Sequence, residues 1–305
     1  MAGKRNIWIL AVLLAVLLAA NWALSAWNDR QEERKAREAE EEKIYLLDGE
    51  EIQAFSYTDG ESSMSFTKED GQWYYDGDRE VPMNQSVIQD TADGIAGMTA
   101  VRKLEDPDAL EDYGLDEPAY TIGYRDSGGM ESAVYIGNGA GENYYATVGD
   151  TGTVYTVSSE FESLMQFDLS GLAQYDTVPS IGSGNLTRVT VSDQGTETVY
   201  EEEDQLGELA GGFGTLALTD CEDYHADPGD LAAYGLDEAS RTVVTAEYTD
   251  SDSGETKEFL LYVGSADDTG ENRYVMTEDS NFLYRVSDSV IRNLMTVDET
   301  EEEES

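Results

Sequence analysis

Apolar and polar residues alternate over most of the chain, and turn sequences rich in Gly, Asp and Ser separate the alternating segments. A period of two is typical of strands that bury one face. In the N-terminal half this pattern predicts strands at 52–58, 63–67, 73–75, 120–124, 132–136, 144–148 and 154–157. In the C-terminal half it predicts strands at 188–191, 196–200, 242–248, 258–263, 273–277 and 283–286.

Helical periodicity is less frequent. It predicts helices at 85–98, 158–165, 204–211 and 287–295. Consecutive hairpins with a few intervening helices are typical of antiparallel sheets, whereas a wound parallel sheet needs regular strand–helix alternation. We therefore predict an α+β fold of antiparallel sheet with a few short helices.

The first 27 residues have a different pattern. An apolar run extends without interruption from Ile7 to Ala20 and continues, after one Asn, to Trp27. The 21 residues from Ile7 to Trp27 are long enough for a helix to cross a bilayer core. The 14-residue run alone also suits a secretory signal peptide cleaved at 23–25. Trp22 and Trp27 resemble an interfacial aromatic belt, so we favour an uncleaved signal anchor, a transmembrane helix over 1–27.

A charged segment follows the anchor at 28–43. It contains no Gly, no Pro and no β-branched residue, which favours helix, but it has no apolar stripe with which to pack. We predict a charged helical stalk there. Basic residues flank the anchor on both sides, yet long C-terminal domains translocate largely regardless of flanking charge. We therefore expect a single-pass protein of the cell membrane, with its N-terminus cytoplasmic and residues 28–305 extracytoplasmic.

The charge of the chain lies almost wholly beyond the stalk. The sequence has 18 Lys and Arg against 65 Asp and Glu, a net charge of −47. Residues 1–43 hold seven of each sign, so residues 44–305 carry 11 basic and 58 acidic side chains. This balance excludes nucleic-acid binding, which needs clustered Lys and Arg. Because 10% of the residues are aromatic, the chain is not a disordered acidic protein either.

Three interpretations of the charge stay open. It keeps an exposed domain soluble, it recruits cations or a basic partner, or it reflects adaptation to high salt; we favour the first. The last residues, 298–305, are mostly Glu and are predicted to form a disordered acidic tail.

The sequence repeats itself. Residues 106–117 (DPDALEDYGLDE) align without a gap with residues 227–238 (DPGDLAAYGLDE). Further matches keep the same order, namely 52–59 with 186–193, 134–137 with 261–264, 141–143 with 270–272, 154–157 with 283–286 and 164–165 with 294–295. We predict two tandem similar units at 44–170 and 186–297, joined by a linker at 171–185.

The repeated segment predicts a short helix capped at both ends. Asp106 is a good N-cap, and Pro107 suits the first helical position. Gly114 would supply a left-handed residue, and Leu110 and Leu115 would close a Schellman motif. The second unit has the same residue types at Asp227, Pro228, Leu231, Gly235 and Leu236. Capping explains these residues without a binding site.

With an N-terminal anchor, tandem units and the segment YGLDEP at 113–118, the chain resembles the bacterial family "domain of unknown function 4340" over 44–297. The second unit departs from this pattern, since Ala239 stands where the first has Pro118. The resemblance implies an extracytoplasmic, membrane-tethered protein. Members are often encoded beside ABC-transporter-like components of the gliding-motility-auxiliary type. No catalytic residue is established for the family, so none is carried over.

Candidate catalytic residues are few. A single Cys excludes an internal disulfide, and a single His excludes any site that needs two imidazoles. Ser65 and Lys68 fit Ser-x-x-Lys, but residues three apart on a strand point to opposite faces. Cys221 and His225 would share a helix face as nucleophile and base. Their flanking sequence predicts a loop instead, and the first unit has neither residue near 102–105.

Acidic clusters suggest calcium, but the match is poor. Residues 250–254 begin like an EF-hand loop, yet Gly254 occupies the fifth position and Leu261 the twelfth, where the loop needs oxygen ligands. A weak divalent site elsewhere stays an alternative. We predict no catalytic, cofactor-binding or metal-binding residue.

Two functions remain. The first is a membrane-tethered interaction or accessory protein without enzymatic activity, with an ABC-transporter-like envelope complex as its partner. The second is an exported hydrolase or carbohydrate-binding protein that acts through carboxylates and tyrosines. The second requires a concave, tyrosine-lined pocket with convergent Asp or Glu side chains.

Overall fold

A computed structural model describes residues 43–47, 51–149 and 151–297, together with the single positions Trp27 and Gln31. Apart from Trp27, Gln31 and Lys43, the predicted anchor (1–27), stalk (28–43) and tail (298–305) lie outside the described residues. Among the helices of the described residues, none has the length and apolar character needed to cross a membrane.

The predicted α+β class is confirmed, because most of the described chain forms antiparallel sheet with a few helices. Ten strands belong to the first half: β1 (Ile44–Tyr45), β2 (Ile52–Thr58), β3 (Ser63–Glu69), β4 (Gln72–Tyr75), β5 (Thr99–Ala100), β6 (Arg102–Lys103), β7 (Tyr120–Asp126), β8 (Glu131–Ala140), β9 (Asn143–Val148) and β10 (Tyr155–Ser158). β1 pairs with β5. The other eight form one sheet in the order β4-β3-β2-β7-β8-β9-β10-β6.

Seven further strands form a second sheet. They are β11 (Leu186–Asp193), β12 (Thr196–Tyr200), β13 (Cys221–Asp223), β14 (Thr242–Thr249), β15 (Thr256–Ala266), β16 (Asn272–Thr277) and β17 (Leu283–Ser287). Their order is β12-β11-β14-β15-β16-β17-β13. Every strand of four or more residues coincides with a predicted one. The strands of two or three residues were missed, since so short a segment carries no readable alternation.

Within 43–297, three α-helices accompany the sheets: α1 (Gln85–Ala96), α2 (Glu203–Thr215) and α3 (Asp288–Met295). In α1 the buried residues Ile88, Ala92 and Ile95 lie three or four positions apart, so one face of the helix is buried. Asn84 caps this helix, because its Oδ1 accepts the Val87 N–H at 3.3 Å. The helix predicted at 158–165 is a 3₁₀ helix, Ser159–Leu164.

The two sheets share two register irregularities as well as their strand order. The β2–β7 register shifts between Ile52 and Ala54, and the β11–β14 register shifts between Leu186 and Arg188. A second shift lies between Ile136 and Gly139 on β8, and between Val263 and Ala266 on β15. Each pair of shifts falls at matched positions of the sequence repeat.

The repeated Tyr-Gly-Leu segment ends a 3₁₀ helix in each half, Leu110–Tyr113 and Leu231–Tyr234. Gly114 and Gly235 have φ of 68° and 67°, as predicted for the left-handed residue. In the first half the Leu115 N–H donates to Leu110 O at 3.0 Å and the Gly114 N–H to Glu111 O at 3.1 Å. These two bonds form the predicted Schellman motif, and the second half has the equivalent pair.

The predicted N-caps are wrong. The residues before the two 3₁₀ helices are Ala109 and Asp230, and neither makes a side-chain capping hydrogen bond. Asp106 instead has a φ of 50°, and the Asp227 carbonyl accepts the Asp230 N–H in a turn. A Pro after Asp suits a turn as well as a first helical residue, so the sequence did not distinguish the two.

A glycine on the neighbouring strand receives each Tyr-Gly-Leu turn. A Cβ at Gly137 on β8 would overlap the carbonyl oxygen of Tyr113, and one at Gly264 on β15 would overlap that of Tyr234. Next to these contacts the rings of Tyr113 and Tyr145 lie 4.7 Å apart, and those of Tyr234 and Tyr274 lie 4.9 Å apart. The repeated residues thus form a packed turn against the sheet, which agrees with a structural role.

The chain packs as two compact units that are not consecutive in sequence. One combines the described residues up to 63 with 90–165, and the other combines 64–89 with 166–297. Within the second unit, Asn84 N–H donates to Leu172 O and Gln174 N–H donates to Pro82 O, both at 2.8 Å. The boundaries proposed at 170 and 186 stay a prediction.

Candidate functional site

Cys221 lies on β13, where the sequence predicted a loop. Its Sγ donates to the backbone carbonyl of Asp223 at 3.2 Å, and its cross-strand partner is Tyr284. Burial raises the pKa of the thiol to about 12. A cysteine nucleophile reacts as the thiolate, so a thiol that stays protonated at neutral pH is a poor one.

His225 is held by carboxylates instead of by the thiol. Its Nδ1 lies 3.0 Å from Asp78 Oδ2 and its Nε2 lies 2.8 Å from Glu80 Oε2. The hydrogen bond to Asp78 is the main cause that raises the pKa of the imidazole, with smaller contributions from the charges of Asp78, Glu80 and Asp227. With both ring nitrogens so placed, the protonated ring donates to two carboxylates. The imidazole therefore forms ion pairs and does not serve as a base for Cys221.

The partners of His225 were missed by the sequence analysis. Asp78 and Glu80 lie in the turn after β4, and Asp78 precedes the histidine by 147 residues. The turn contains several acidic residues, and nothing in their spacing along the sequence indicates which of them pair with an imidazole. The single His in so acidic a chain was the only available signal.

A cluster of aromatic side chains surrounds Tyr284. Its hydroxyl donates to Asp176 Oδ2 at 2.9 Å and accepts the Asp176 N–H at 3.0 Å. The rings of Tyr175, Tyr224 and Phe282 pack nearby, with centroids 5.8–6.3 Å apart. The pKa values of Tyr224 and Tyr284 are raised, mainly because the two side chains are buried. These phenols are protonated, and the fully buried Tyr284 belongs to the core, not to an open tyrosine-lined surface.

The segment that begins like an EF-hand forms a hydrogen-bonded turn. Asp250 Oδ1 accepts the backbone N–H and the hydroxyl of Ser253, both at 2.8 Å, and Asp250 Oδ2 pairs with Lys257 Nζ at 2.8 Å. Lys257 is the main cause that holds the pKa of Asp250 well below its usual range. In the part of the chain that the structure describes, no three His, Cys, Asp or Glu side chains are grouped to hold a metal ion.

Ser65 and Lys68 do not cooperate. Both lie on β3, as predicted, and three positions apart they point to opposite faces of the strand. Lys68 Nζ donates to Gln89 Oε1 at 3.1 Å and lies 5.7 Å from the ring centre of Trp73. The ammonium group thus supports the packing of β4 and α1.

Three surface cavities can be compared with the tyrosine-lined pocket that a carbohydrate-binding protein would require. The first, about 220 Å³, lies between the end of α1 and the 3₁₀ helix Ser159–Leu164. The second, about 580 Å³, surrounds Glu105 and Pro107, and the third, about 360 Å³, surrounds Glu238 and Arg241. No tyrosine lines any of these three.

The two sheets differ at one edge. The eight-stranded sheet ends on β4, where the Trp73 N–H donates to Gln85 Oε1 at 2.7 Å and Gln85 Nε2 donates to Trp73 O at 3.0 Å. The Gln85 carboxamide thus pairs with β4 as a neighbouring strand would. The seven-stranded sheet ends on β12, which pairs only with β11 among the described residues. Four of its five residues are exposed.

The basic side chains of the described residues are largely paired within the molecule. Six form ion pairs with nearby carboxylates: Arg79, Arg188, Lys257, Arg273, Arg285 and Arg292. Arg241 lies over the ring of Tyr262, 3.8 Å from its centre. Since residues 44–305 hold 58 carboxylates, most acidic side chains have no cation available within this part of the chain.

Comparison with known proteins identifies a family. Residues 73–219 match the model of the family described as "Domain of unknown function (DUF4340)". The matched segment begins on β4 and ends just after α2, so it includes the first Tyr-Gly-Leu turn and not the second. No curated protein and no solved structure matches the chain. The family match supports the resemblance seen in the sequence, and it places residues 73–219 in the DUF4340 family.

Proposed function

We propose that this protein is a membrane-tethered, extracytoplasmic interaction protein without enzymatic activity, an accessory subunit of a cell-envelope complex. The apolar segment at 7–27 supports the tether. The family resemblance supports the envelope location and suggests ABC-transporter-like components as partners. The proposal needs no catalytic group, in keeping with a protonated Cys221 thiol and an ion-paired His225.

The uncompensated acidic charge is the observation on which this function mainly depends. Residues 44–305 have only 11 basic side chains against 58 acidic ones, and six of the 11 form local ion pairs, so a negative potential extends over the surface. Such a field accelerates encounter with a positively charged partner and discriminates against acidic ones. We therefore expect the partner to present a basic surface.

We also propose that the folded part arose by tandem duplication of one sheet-forming unit. The shared strand order, the matched register shifts and the two Schellman turns support this proposal. The helices add a further parallel. A Cβ at Gly94 on α1 would overlap Leu164, and one at Gly212 on α2 would overlap the backbone before Leu294. Leu164 and Leu294 are matched residues of the sequence repeat.

The tether is tested by fractionation of the full chain expressed in a bacterial host. The protein is expected in the membrane fraction after alkaline carbonate washing, and protease added to spheroplasts should digest it. The double variant Leu14→Arg and Leu17→Arg interrupts the apolar run and should release the protein from the membrane. Recovery of the unmodified protein in the carbonate-soluble fraction would contradict the tether.

The partner is tested by co-purification of the full chain from membranes in mild detergent, followed by mass spectrometry. A specific basic partner should be retained at low salt and lost as ionic strength rises, because screening weakens contacts between charged surfaces. If the protein is recovered alone at both low and moderate salt, the accessory role is wrong.

A further inference from the structure

The β12 edge, defined as the side of Thr196–Tyr200 that faces away from β11, distinguishes the two sheets. In the eight-stranded sheet the strand that corresponds to β12 is β3, and β4 covers its outer side. The hairpin of β11 and β12 has no such third strand among the described residues. A strand at the edge of a sheet presents unpaired N–H and C=O groups that can bind another strand.

The turn of the hairpin fixes which backbone groups point outward. Gln194 and Gly195 form a two-residue connection with φ of 48° and 84°, the positive values of a type I′ turn. The flanking pair Asp193–Thr196 is then a hydrogen-bonded pair, as are Val191–Thr198 and Val189–Tyr200. The intervening residues Glu197 and Val199 direct their N–H and C=O groups to the outer side.

The side chains of this strand and of the residues after it combine one exposed apolar residue with acidic ones. Val199 is 41% exposed, one of the few large apolar side chains on the surface. Glu197 lies on the same face, two residues away, and Glu202 and Glu203 follow at the start of α2. Among the described residues, Arg188 pairs with the neighbouring Glu201, whereas no ion pair involves Glu197, Glu202 or Glu203.

We propose that the β12 edge binds an extended basic segment of a protein partner by adding it to the sheet as an eighth strand. The outward backbone groups of Glu197 and Val199 supply the hydrogen bonds, as in other cases of strand addition. A Lys or Arg of the partner would lie beside Glu197, and an apolar residue two positions away would lie beside Val199.

Charge selects this occupant over a second copy of the chain. Two β12 strands placed edge to edge would bring Glu197 and the Glu202–Glu203 pair of both copies close together, and like charges across an edge are destabilising. A basic strand meets the same side chains favourably. The proposal rests on the proposed function only in that it supposes a protein partner, and it names the chemistry of that partner.

The test uses a capped peptide of seven residues, Lys-Thr-Val-Thr-Lys-Thr-Val, which places lysine and valine two positions apart on one face of the strand. It is titrated into the full protein by calorimetry at low salt. Two derivatives of the peptide carry N-methyl groups on alternate backbone amides, one set on each edge of the strand. Binding of the parent peptide is expected, with loss of affinity for one methylated derivative and not for the other. If the peptide binds by charge attraction alone, without strand pairing, the two methylated derivatives should have equal affinities.

Two protein variants locate the contact. Val199→Pro removes one outward N–H, and Pro is tolerated at an edge position whose N–H faces solvent. We expect it to weaken peptide binding about tenfold, whereas the matched control Val199→Thr retains the N–H and should change affinity by less than about twofold. Glu197→Lys leaves the backbone unaltered, so it should weaken binding of the lysine peptide and favour an otherwise identical glutamate peptide.

Three outcomes would overturn the proposal. The first is no binding of the parent peptide at millimolar concentration. The second is an affinity that is the same for the parent peptide and for both methylated derivatives, and that Val199→Pro does not change. The third is self-association of the protein that Val199→Pro abolishes, which would assign the edge to a second copy. None of these affects the co-purification test, so failure of the edge and failure of the accessory role are distinguishable.

Discussion

The eight-stranded and seven-stranded sheets are alike in their interior and different at one edge. Seven strands follow the same order in both, with two matched register shifts and the same Schellman turn packed against a glycine. At the edge, the first sheet has β4, whose Trp73 backbone is paired by the Gln85 carboxamide, and the second has the open strand β12. Packing constrains the interior, whereas an edge is free to differ.

The treatment of the two edges shows how one fold provides a protected and an available strand. Natural sheets cover or interrupt their edges to prevent association with other chains. A single glutamine side chain does this at β4. At β12 the sequence places Glu197 and a following acidic run, which deters apolar and acidic strands but leaves the backbone open to a basic one.

The largest expected effect concerns the shared interior. Gly264→Ala and Gly137→Ala each introduce a Cβ that overlaps a backbone carbonyl of the Tyr-Gly-Leu turn, so strand and turn must separate. We expect each variant to lower the free energy of unfolding by about 1–3 kcal/mol, the usual cost of overpacking. Urea denaturation of the full chain, followed by far-UV circular dichroism, measures the effect.

Gly139→Ala is the matched control for these variants. Gly139 also lies on β8, but a Cβ there has no neighbour within 4 Å, and its φ is not positive. The urea denaturation midpoint of Gly139→Ala should stay close to that of the unmodified protein. If Gly264→Ala destabilises the protein and Gly137→Ala does not, the two interiors are not equivalent and the comparison fails.

The intermediate effect concerns the protected edge. Gln85→Met retains much of the side-chain volume but removes both hydrogen bonds to the Trp73 backbone. We expect a loss of about 0.5–1.5 kcal/mol, the usual net contribution of a hydrogen bond, because the Trp73 backbone groups lose their partner. Amide exchange at Trp73, followed by NMR, should accelerate accordingly.

Gln85→Glu separates the two bonds. The carboxylate still accepts the Trp73 N–H but donates nothing to the Trp73 carbonyl, so exchange at Trp73 should lie between those of the unmodified protein and Gln85→Met. Unchanged exchange in Gln85→Met would show that the carboxamide does not protect this edge.

The smallest effect concerns His225, which joins the turn after β4 to the segment after β13. Because it is the only histidine, its imidazole NMR signal needs no assignment by mutation. We expect Asp78→Asn to lower the pKa of His225 towards its ordinary value and Glu80→Gln to lower it less, since the Asp78 hydrogen bond is the main cause of the shift. A larger shift in Glu80→Gln would contradict this ranking.

The same pairs imply a direction for stability against pH. The folded-state pKa of His225 lies above its ordinary value, so the stabilisation is fully present below about pH 6.5 and is lost as pH rises through the raised pKa. The effect should be small because Glu80 is 72% exposed. The assignment to His225 would be wrong if the unmodified protein had the same unfolding midpoint below and above this pH range while the midpoint of Asp78→Asn shifted.

Local patterns predicted most of the fold. Alternation located every strand of four or more residues, since most of these strands bury one face and expose the other. The Gly114 and Gly235 turns were also predicted, because a left-handed φ and a following Leu are local requirements. The N-caps at Asp106 and Asp227 were wrong because the Asp-Pro pair suits turns and helix starts equally.

Contacts between distant segments were beyond such patterns. The sequence places Gln85 on a helix and Trp73 on a strand, but only the fold brings the carboxamide to the backbone of β4. The pairing of His225 with Asp78 and Glu80 is of the same kind. With so many similar carboxylates, charge by itself does not specify which two an imidazole meets.

By itself, the sequence determined the α+β class, the positions of the longer strands, the repeated turn, the acidic character and the family resemblance, because each depends on residue type and local spacing. Only the tertiary structure decided which strand edge is paired and which is open, and which carboxylates meet His225. Those features depend on the order of strands in a sheet and on groups far apart in the chain. Period and composition do not contain that information.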